Sequence, residues 1–416
     1  MVANIDIQVD IFRDYQASHS WITFRLDLTN SPWTFWNHIG ESHSKCRHLA
    51  KTPLPPSLAR RMERVYLAKG ARASAAIEGN SLNEAQAMAA VEGTLEVSQS
   101  QEYLQQELEN VIRALATVEQ EVHGGGTFNV TPQRLRELNA EILKGLEVED
   151  HVVPGEFRTG GIVVGNVYQG VPAVDCGFLI DALCAWLNGP DFQRHGNDHA
   201  RNFLHAFLRA VIAHVYIAWI HPFGDGNGRT ARLVEFGILT AAGVPSVAAH
   251  LLSNHYNATR THYYRQLDLA SKSGGDLIPF LGYAAEGFVG ELQQQLNEVH
   301  EQIVHATWLN YVHTMFPGPT LTTRRQRDLV LALPHDSCVP RARLTTLTPR
   351  LAAAYSGKGR KAVTRDLNAL AEHELIERTA KGVRARREVI LSFLPRAAPG
   401  GENDIETLFP AIAVQV

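Results

Sequence analysis

The sequence predicts a mainly α-helical protein with one short β-hairpin and a separate basic module near its C-terminus. Apolar residues recur at helical spacing through most of residues 57–316, most clearly at 203–220 and 233–242. A glycine-flanked run of β-branched residues at 160–167 is typical of a hairpin. Residues 324–387 hold 15 Lys and Arg against 6 Asp and Glu, a net charge of +9 in a chain whose total is −4. The remainder therefore carries −13, and this split favours a basic module joined to an acidic body.

The length of 416 residues allows two or three domains. We predict an N-terminal subdomain at residues 1–56, a large helical domain at 57–316, a C-terminal domain at 320–395 and a tail at 396–416. No stretch is predicted to span a membrane, since a span needs roughly 20 consecutive apolar residues. The first residues lack the basic and apolar regions of a secretion signal.

The four cysteines are scattered along the chain, and none forms a CxxC pair: Cys46, Cys176, Cys184 and Cys338. This spacing indicates neither a zinc site nor a disulfide framework. With no secretion signal, it predicts a reducing, cytoplasmic location and no membrane partner.

The N-terminal subdomain contains two alternating segments, IDIQVDIF at 5–12 and WITFRLDL at 21–28, which are predicted to be strands. Four aromatic side chains are predicted to form a small apolar cluster: Trp21, Trp33, Phe35 and Trp36. No chemistry is assigned to this region. The prolines at 53, 55 and 56 mark its boundary with the first long helix.

The first long helix is predicted at 57–77. Ser74 and Glu78 are one turn apart and therefore share a face. Gly79 is a natural helix stop, so Glu78 projects from the last turn. Taken alone, Glu78 is equally well interpreted as a surface glutamate near a helix end.

Further helices follow in the large helical domain. A helical pattern at 81–123 is broken by three glycines, and Thr131 is a plausible N-cap for a helix at 132–146 that begins with proline. The remaining apolar patterns predict core helices at 178–187 and 201–220. His205 and His214 lie on the last of these and are interpreted as structural.

Residues 221–232, HPFGDGNGRTAR, join the two most apolar helices and concentrate chemical groups. The glycines of Gly226-Asn227-Gly228 let successive backbone N–H groups point one way, at the positive end of the helix that follows. Arg229 and Arg232 share a face of that helix and suit phosphate oxygens. Asp225 is a candidate Mg²⁺ ligand, and His221 is a candidate base. Singly these residues admit plain structural roles; together at this spacing they favour a nucleotide site.

This stretch resembles the signature of the Fic family, HPFx[DE]GNGRxxR, at every specified position. The resemblance implies a helical core and transfer of AMP from ATP to a Ser, Thr or Tyr hydroxyl of a target protein. It implies His221 as general base and Asp225 as the Mg²⁺ ligand at the α- and β-phosphates. It also implies that Gly226, Asn227 and Gly228 cradle the phosphates and that the two arginines bind their β- and γ-phosphate end.

Residues 74–79 also resemble the inhibitory motif of the family, [ST]xxxE[GN]. Three regulatory residues follow from it: Ser74, Glu78 and Gly79. The resemblance implies that Glu78 pairs with Arg232 and competes with the γ-phosphate. One guanidinium cannot form two bidentate pairs at once.

Two further sites are implied by the resemblance. The hairpin is similar to the flap that holds a target segment by strand addition, with four residues there: Gly161, Ile162, Val163 and Val164. Tyr263 and Tyr264 correspond to paired tyrosines near the adenine, although both also suit core packing. The family carries an aromatic where this chain reads DLIPF at 276–280, so the walls of the adenine pocket stay open.

A long helix is predicted at 281–310, followed by a proline-rich linker at 317–319. The C-terminal domain then resembles a winged helix-turn-helix. Its predicted elements are helices at 324–333, 341–355 and 360–372, strands at 375–379 and 387–393, and a wing at Lys381-Gly382. The cations placed against a DNA backbone are Arg360, Lys361, Arg365, Lys381 and Arg384. A docking or homodimerisation module is an equal alternative.

The sequence as a whole predicts an autoinhibited protein AMP transferase that uses ATP and Mg²⁺. Its partner is a protein with a hydroxyl side chain. Two alternatives stay open: a DNA-binding regulator with the nucleotide site as sensor, and a Fic enzyme that removes AMP from its targets. The target, the activating signal and the oligomeric state are not indicated.

Overall fold

The computed structural model describes residues 13–165 and 168–391. The chain divides into two compact units, Met1–Asn297 and Glu298–Val416. The described residues are mainly helical, with two small hairpins, so the predicted fold class is confirmed. The strand predicted at 5–12 and the tail at 396–416 lie outside the described residues.

The elements of the first unit follow the chain in this order. The helices are α1 (Asp14–Ser18), α2 (Trp33–Lys51), α3 (Pro56–Ile77), α4 (Glu84–Glu92), α5 (Glu102–His123), α6 (Pro132–Ile142), α7 (Ala173–Leu187), α8 (His199–Ile220), α9 (Asn227–Ala241), α10 (Ser246–Ala249), α11 (Leu251–Ala258) and α12 (Arg260–Lys272). Strands β1 (Val163–Val164) and β2 (Tyr168–Gln169) form an antiparallel hairpin between α6 and α7. Helix α13 (Ile278–Met315) runs past the division between the units.

The core of the first unit is the packed pair α8 and α9. Asp198 caps α8 by accepting a hydrogen bond from the backbone N–H of Arg201, and most of the helix after Phe203 is buried. Among the described residues α8 is long and apolar enough to span a membrane, but 78% of its most apolar stretch is buried inside the protein, as in a core helix. Helices α3, α5 and α6 pack around the start of α9.

Helix α3 approaches this core closely. A Cβ on Gly70 would lie 2.5 Å from Cγ of the buried His250, so only glycine allows this contact. The predicted helix boundaries hold well here, because Pro56 sits in the first turn and the helix ends at Ile77, two residues before Gly79 at φ +109°.

The N-terminal expectations were partly wrong. Residues 21–28 form no strand, because no second strand among the described residues pairs with them and the N–H of Phe24 instead donates to the hydroxyl of Tyr216 at 3.0 Å. The predicted aromatic cluster forms only in part, since the rings of Phe35 and Trp36 are in edge contact with centroids 5.2 Å apart. Phe35 is buried on α2, whereas Trp33 is 75% exposed and Trp36 is 42% exposed.

The helical pattern at 81–123 covers three elements. Helix α4 ends at Gly93, whose left-handed conformation closes the helix, and a 3-10 turn at Gln99–Gln101 precedes α5. Thr131 caps α6 as predicted, by accepting from the N–H of Arg134.

The second unit has its own core. Besides the end of α13 it contains α14 (Leu321–Ala332), α15 (Pro349–Tyr355), α16 (Arg360–Glu372), β3 (Ile376–Thr379) and β4 (Gly382–Ala385), with 3-10 turns at Arg341–Thr346 and Arg387–Ile390. Trp308, Val312 and Phe316 belong to this core, although they precede the predicted linker at 317–319.

Two predicted elements of the second unit were wrong. The helix at 341–355 is divided, because Thr348 caps a new helix that starts at Pro349. The second strand lies at Gly382–Ala385 instead of 387–393, where it pairs with β3, and residues after 391 are outside the described part of the chain. The winged-helix classification stays a prediction.

Candidate active site

The signature residues form a loop between α8 and α9. His221 ends α8 in the left-handed conformation at φ +52°, and Gly226 opens α9 at φ +77°. The side chain of Asn227 closes the loop by accepting from the N–H of Phe223 at 2.9 Å and donating to its carbonyl at 2.8 Å. These hydrogen bonds fix the N-terminus of α9. The N–H groups of its first turn, which have no partner within the helix, therefore point in a defined direction, as an anion site requires.

The fully buried side chain of Asn139, on α6, holds this loop in place by hydrogen bonds. Its Nδ2 donates to the carbonyl of Asp225 at 2.9 Å, and its Oδ1 accepts from the N–H of Gly155 at 3.0 Å. A Cβ on Gly226 would lie 2.9 Å from that Nδ2, so the glycine provides both the backbone conformation and the close approach.

The half-buried imidazole of His221 has a defined orientation. Its Nδ1 lies 3.3 Å from the carbonyl of Ala218, and because a carbonyl only accepts, Nδ1 carries the proton of the neutral ring. Nε2 is then the basic nitrogen. Burial lowers the pKa of His221 to about 4, against smaller upward effects of the Ala218 carbonyl and of the negative charge of Glu78. The ring is neutral at physiological pH, which is the state a general base needs.

The second arginine of the signature is bound to the end of α3. Arg232 is 2% exposed. Its Nε donates to the Ser74 hydroxyl at 3.0 Å, and its Nη2 donates to the Ser74 carbonyl at 2.9 Å and to Oε1 of Glu78 at 2.6 Å. The two predicted regulatory side chains therefore share this guanidinium.

The carboxylate of Glu78 also lies over the anion loop. A Cβ added to Gly228 would collide with Oε1 of Glu78. Burial raises the pKa of Glu78, but the charge and hydrogen bond of Arg232 outweigh that effect and hold the pKa below its usual value. Glu78 is therefore an anion at neutral pH, in the place where the loop would hold another anion.

The first arginine of the signature faces a second carboxylate. Arg229 is 3% exposed, and its Nη1 donates to Oε1 of Glu107 at 2.6 Å, while its Nη2 donates to Oδ1 of Asp225 at 3.1 Å. The other oxygen of Glu107 accepts from Nδ2 of Asn80, just beyond α3, at 2.8 Å.

The hairpin is attached to the loop by Arg158, which is 6% exposed. Its Nε donates to the carbonyl of His221 at 2.7 Å, and its Nη1 donates to the carbonyl of Gly160 at 2.7 Å. Its backbone N–H donates to the carbonyl of Pro222 at 2.9 Å. The hairpin and the histidine thus have a common support.

Residues 129–239 match the model of the Fic/DOC family. The chain carries a Fic/DOC domain. The protein named "Protein adenylyltransferase Fic" from Drosophila melanogaster is 32% identical over 159 residues, which are 38% of this chain and 28% of that protein. "Protein adenylyltransferase fic-1" from Caenorhabditis briggsae is 28% identical over 221 residues, 53% of this chain and 39% of that protein. The chain thus matches only about a quarter to two fifths of the length of these relatives.

Solved structures share the fold. A Fic family protein from Desulfovibrio desulfuricans superposes with a TM-score of 0.54 at 22% identity, over 86% of this chain and 98% of that one. Fic-1 from C. elegans gives 0.52 at 22% identity, over 64% of this chain and 73% of that one. At this identity the likeness concerns the fold.

The two tyrosines predicted to lie near the adenine, Tyr263 and Tyr264, occupy different environments. Tyr263 is 3% exposed, with its hydroxyl 2.9 Å from Nε2 of His214 and its ring stacked on Tyr256. Neither its position nor its contacts leave a ring face open to adenine. Tyr264 is 42% exposed, and its hydroxyl donates to the carbonyl of Ile77, so it is the one of the pair that faces solvent at the end of α3.

The four residues predicted to form a flap lie along one side of the hairpin. Gly161 and Ile162 lead into β1, and the carbonyl of Ile162 accepts from the N–H of Gly170 at 3.1 Å. Val163 and Val164 form β1, with Val163 61% exposed. The far side of β2 is covered, because Nε2 of His19 donates to the carbonyl of Gln169 at 2.8 Å.

Three residues that position the site were not predicted: Asn139, Arg158 and Glu107. Arg158 belongs to the segment before the hairpin, and the other two stand on helices that were interpreted as packing elements. A polar side chain on the apolar stripe of a helix was the one available signal, since such a group must find a buried partner.

Within the described part of the chain, Asp225 is the one protein ligand that this site would offer to Mg²⁺. Both described contacts of this carboxylate use Oδ1, and 41% of the side chain is exposed beside the anion loop. Mg²⁺ is commonly held by one or two carboxylates together with substrate phosphates, so one such side chain is sufficient. The described residues contain no cluster of three or more His, Cys, Asp or Glu that would hold a metal without a substrate.

Proposed function

We propose that this chain is an autoinhibited protein adenylyltransferase that moves AMP from ATP to a Ser, Thr or Tyr hydroxyl of another protein. The observation that carries the proposal is the pairing of Glu78 with Arg232 over Gly228, beside an imidazole whose Nε2 is free to accept a proton. A loop suited to phosphate oxygens is filled by a carboxylate of the same chain. The names of the relatives of the Fic domain support the reaction class.

The reaction is an in-line displacement at the α-phosphorus. Nε2 of His221 accepts the proton of the target hydroxyl, whose oxygen bonds to the α-phosphorus while the bond to the oxygen bridging to the β-phosphate breaks. Pyrophosphate leaves with that oxygen. The first-turn amides of α9 and Arg232 stabilise the charge that develops on the phosphates. Mg²⁺ bound at Asp225 would neutralise phosphate charge further.

The target segment binds beside β1. The edge of β1 offers backbone groups next to the exposed Val163, and backbone pairing holds a segment without requiring a particular sequence. Arg158 links this hairpin to the carbonyl of His221, so a bound hydroxyl is presented to the imidazole from a fixed support.

Inhibition follows from competition for Arg232. Its three described hydrogen bonds are used by Ser74 and Glu78, so a γ-phosphate has to displace the carboxylate to reach the guanidinium. A partner, a target or oligomer formation that moves the end of α3 relieves the block.

The test of the base uses a Glu78→Gly background. His221→Ala should abolish transfer of label from α-labelled ATP to protein. The matched control is His205→Ala, which changes a half-buried histidine of the same helix about 24 Å away along its axis. Undiminished transfer by the His221 variant contradicts the role of the base.

The reverse activity is supported by the position of Glu78. Its carboxylate lies against Gly228 at the start of α9 and is bound to Arg232, where it can orient an attacking water for removal of AMP from a modified protein. Protein labelled by the Glu78→Gly variant is purified and incubated with the unmodified chain. Release of labelled AMP by the unmodified chain, but not by its Glu78→Gly variant, identifies this direction; retention of label excludes it.

DNA binding by the second unit is supported by the surface of α16. This helix exposes Arg360, Lys361 and Arg365, while Asp366 is buried and its other carboxylate, Glu372, is exposed at the last residue of the helix. The affinity of the full chain for duplex DNA should fall as the salt concentration rises. In the double variant Lys361→Gln, Arg365→Gln, the slope of log affinity against log salt concentration should decrease in magnitude by about one for each phosphate that is no longer neutralised. Arg384→Gln is the control, because Glu377 and Glu388 already pair with that arginine. Equal binding by all variants excludes α16.

A further inference from the structure

We infer that Glu107 is a positioning residue for the Fic site, which holds Arg229 in place for the phosphates. The inference rests on the proposed function. Glu107 stands on α5, outside the signature and outside the inhibitory motif, and no role follows for it from either.

Arg229 needs a fixed counter-charge. Its side chain is 3% exposed, and a guanidinium taken so far out of water is stable only beside an anion. Its two ionic partners differ in kind. The side chain of Glu107 is 6% exposed and lies 2.6 Å away, whereas that of Asp225 is 41% exposed and lies 3.1 Å away. The permanent partner is therefore Glu107.

Glu107 is itself held by its second oxygen. Oε2 accepts from Nδ2 of Asn80 at 2.8 Å, and the same nitrogen donates to the carbonyl of Leu104 at 2.9 Å. Oδ1 of Asn80 accepts from the N–H of Leu82 at 3.1 Å, which fixes the orientation of the amide. Each oxygen of the carboxylate is thus bonded to a different neighbour, which fixes the carboxylate against Arg229.

Loss of this carboxylate changes what Arg229 does. Asp225 is the only other described ionic partner, one helical turn earlier on the same segment, and it would take the whole guanidinium. The carboxylate of Asp225 and the guanidinium of Arg229 would then bind each other instead of a nucleotide. Glu107 thus acts on ATP only through Arg229, and its removal weakens nucleotide binding.

The experiment compares ATP kinetics in the Glu78→Gly background. Glu107→Gln keeps the size and the hydrogen-bonding capacity of the side chain but removes its charge. We expect its KM for ATP to rise by about tenfold with a smaller change in kcat, by analogy with the loss of partners that orient functional groups. Glu102→Gln, which removes an exposed carboxylate of the same helix, should leave both unchanged.

A double-mutant comparison separates positioning from a general structural role. Arg229→Gln should raise KM by itself, and adding Glu107→Gln to it should cause no further rise, because the carboxylate has nothing left to position. Equilibrium binding of ATP to the same variants carrying His221→Ala gives a second readout without turnover. If Glu107→Gln does not fold, Glu107→Asp, which keeps the charge and shortens its reach, is compared in the same way and should give a smaller rise.

The outcomes are distinct. A rise in KM that disappears in the Arg229→Gln background supports the inference. An unchanged KM, or the same loss with and without Arg229, overturns it. If the Glu78→Gly protein binds ATP but transfers no AMP, the proposed function fails, and the binding data alone still decide the role of Glu107.

Discussion

Each unit of this protein contains a buried arginine paired with a carboxylate, and the two pairs differ in how replaceable the carboxylate is. In the second unit Arg325 and Asp366 are 8% and 2% exposed, and both guanidinium contacts, at 2.7 and 3.0 Å, go to the same carboxylate. In the first unit Arg232 is 2% exposed, but the side chain of Glu78 is 32% exposed and contributes a single contact.

The surroundings increase this difference. Asp366 also accepts from Tyr355 and Gln326, so its removal leaves several buried donors without a partner. Glu78 stands at the very end of α3, and Ser74 holds Arg232 through two further hydrogen bonds. The first arrangement is a permanent part of a core, and the second is a contact that another anion can replace.

The largest effect is expected in the second unit. Asp366→Asn should lower its free energy of unfolding by about 3–5 kcal/mol, because one partner of a buried pair is left charged and alone. Hydrogen–deuterium exchange in α14 and α16 measures this. The control is Asp328→Asn, whose partner Arg350 is 73% exposed and whose loss should cost at most about 1 kcal/mol. Equal exchange in the two variants contradicts the distinction.

Glu78→Gly is expected to change activity more than stability. Transfer of AMP, including self-labelling, should rise by about 5- to 150-fold, the usual range of a coupling between two sites. The thermal midpoint should fall less than in Asp366→Asn, because Ser74 still accepts two hydrogen bonds from Arg232 although the guanidinium loses its counter-charge. Labelling from α-labelled ATP measures the first and calorimetry the second. No rise in labelling, with the protein folded, means that Glu78 only ends a helix.

The pH dependence of the Glu78→Gly variant, in which inhibition is expected to be relieved, tests the assignment of His221 as the general base. Because burial lowers the pKa of His221 to about 4, its basic form is present from neutral pH down to well below 6.5 and is lost as the pH falls through 4. Removal of Glu78 takes away a negative charge that raises this pKa. The acid limb of kcat/KM in the Glu78→Gly variant should therefore lie near or below pH 4. A limb centred near 6.5 would indicate an exposed imidazole instead.

The smallest effect is expected for Ser74→Ala. It removes the bond from the Arg232 Nε at 3.0 Å but keeps the one to the backbone carbonyl, at a cost of about 0.5–1.5 kcal/mol. Basal labelling should rise less than in Glu78→Gly. A larger rise would mean that the hydroxyl, more than the carboxylate, maintains inhibition.

The sequence predicted the helices around the site because the residues that start and end a helix act on the backbone within one turn. Thr131 and Pro132 start α6, and Gly79 closes α3, as their capping preferences indicate. The same reasoning failed at 21–28, where alternation predicted a strand. A strand requires a partner, and here the backbone instead bonds a distant side chain, Tyr216.

The sequence by itself determined the loop of the Fic domain, since its glycines, asparagine and histidine act on neighbours within a few residues. Only the tertiary structure decided what the two arginines contact. Glu107 lies 122 residues from Arg229 and Glu78 lies 154 from Arg232. Buried charges must find counter-charges, but which carboxylate is near depends on how α3, α5 and α9 pack, and pairing across such separations leaves no local pattern to read. The same packing separated Tyr263, buried against His214, from its exposed neighbour Tyr264.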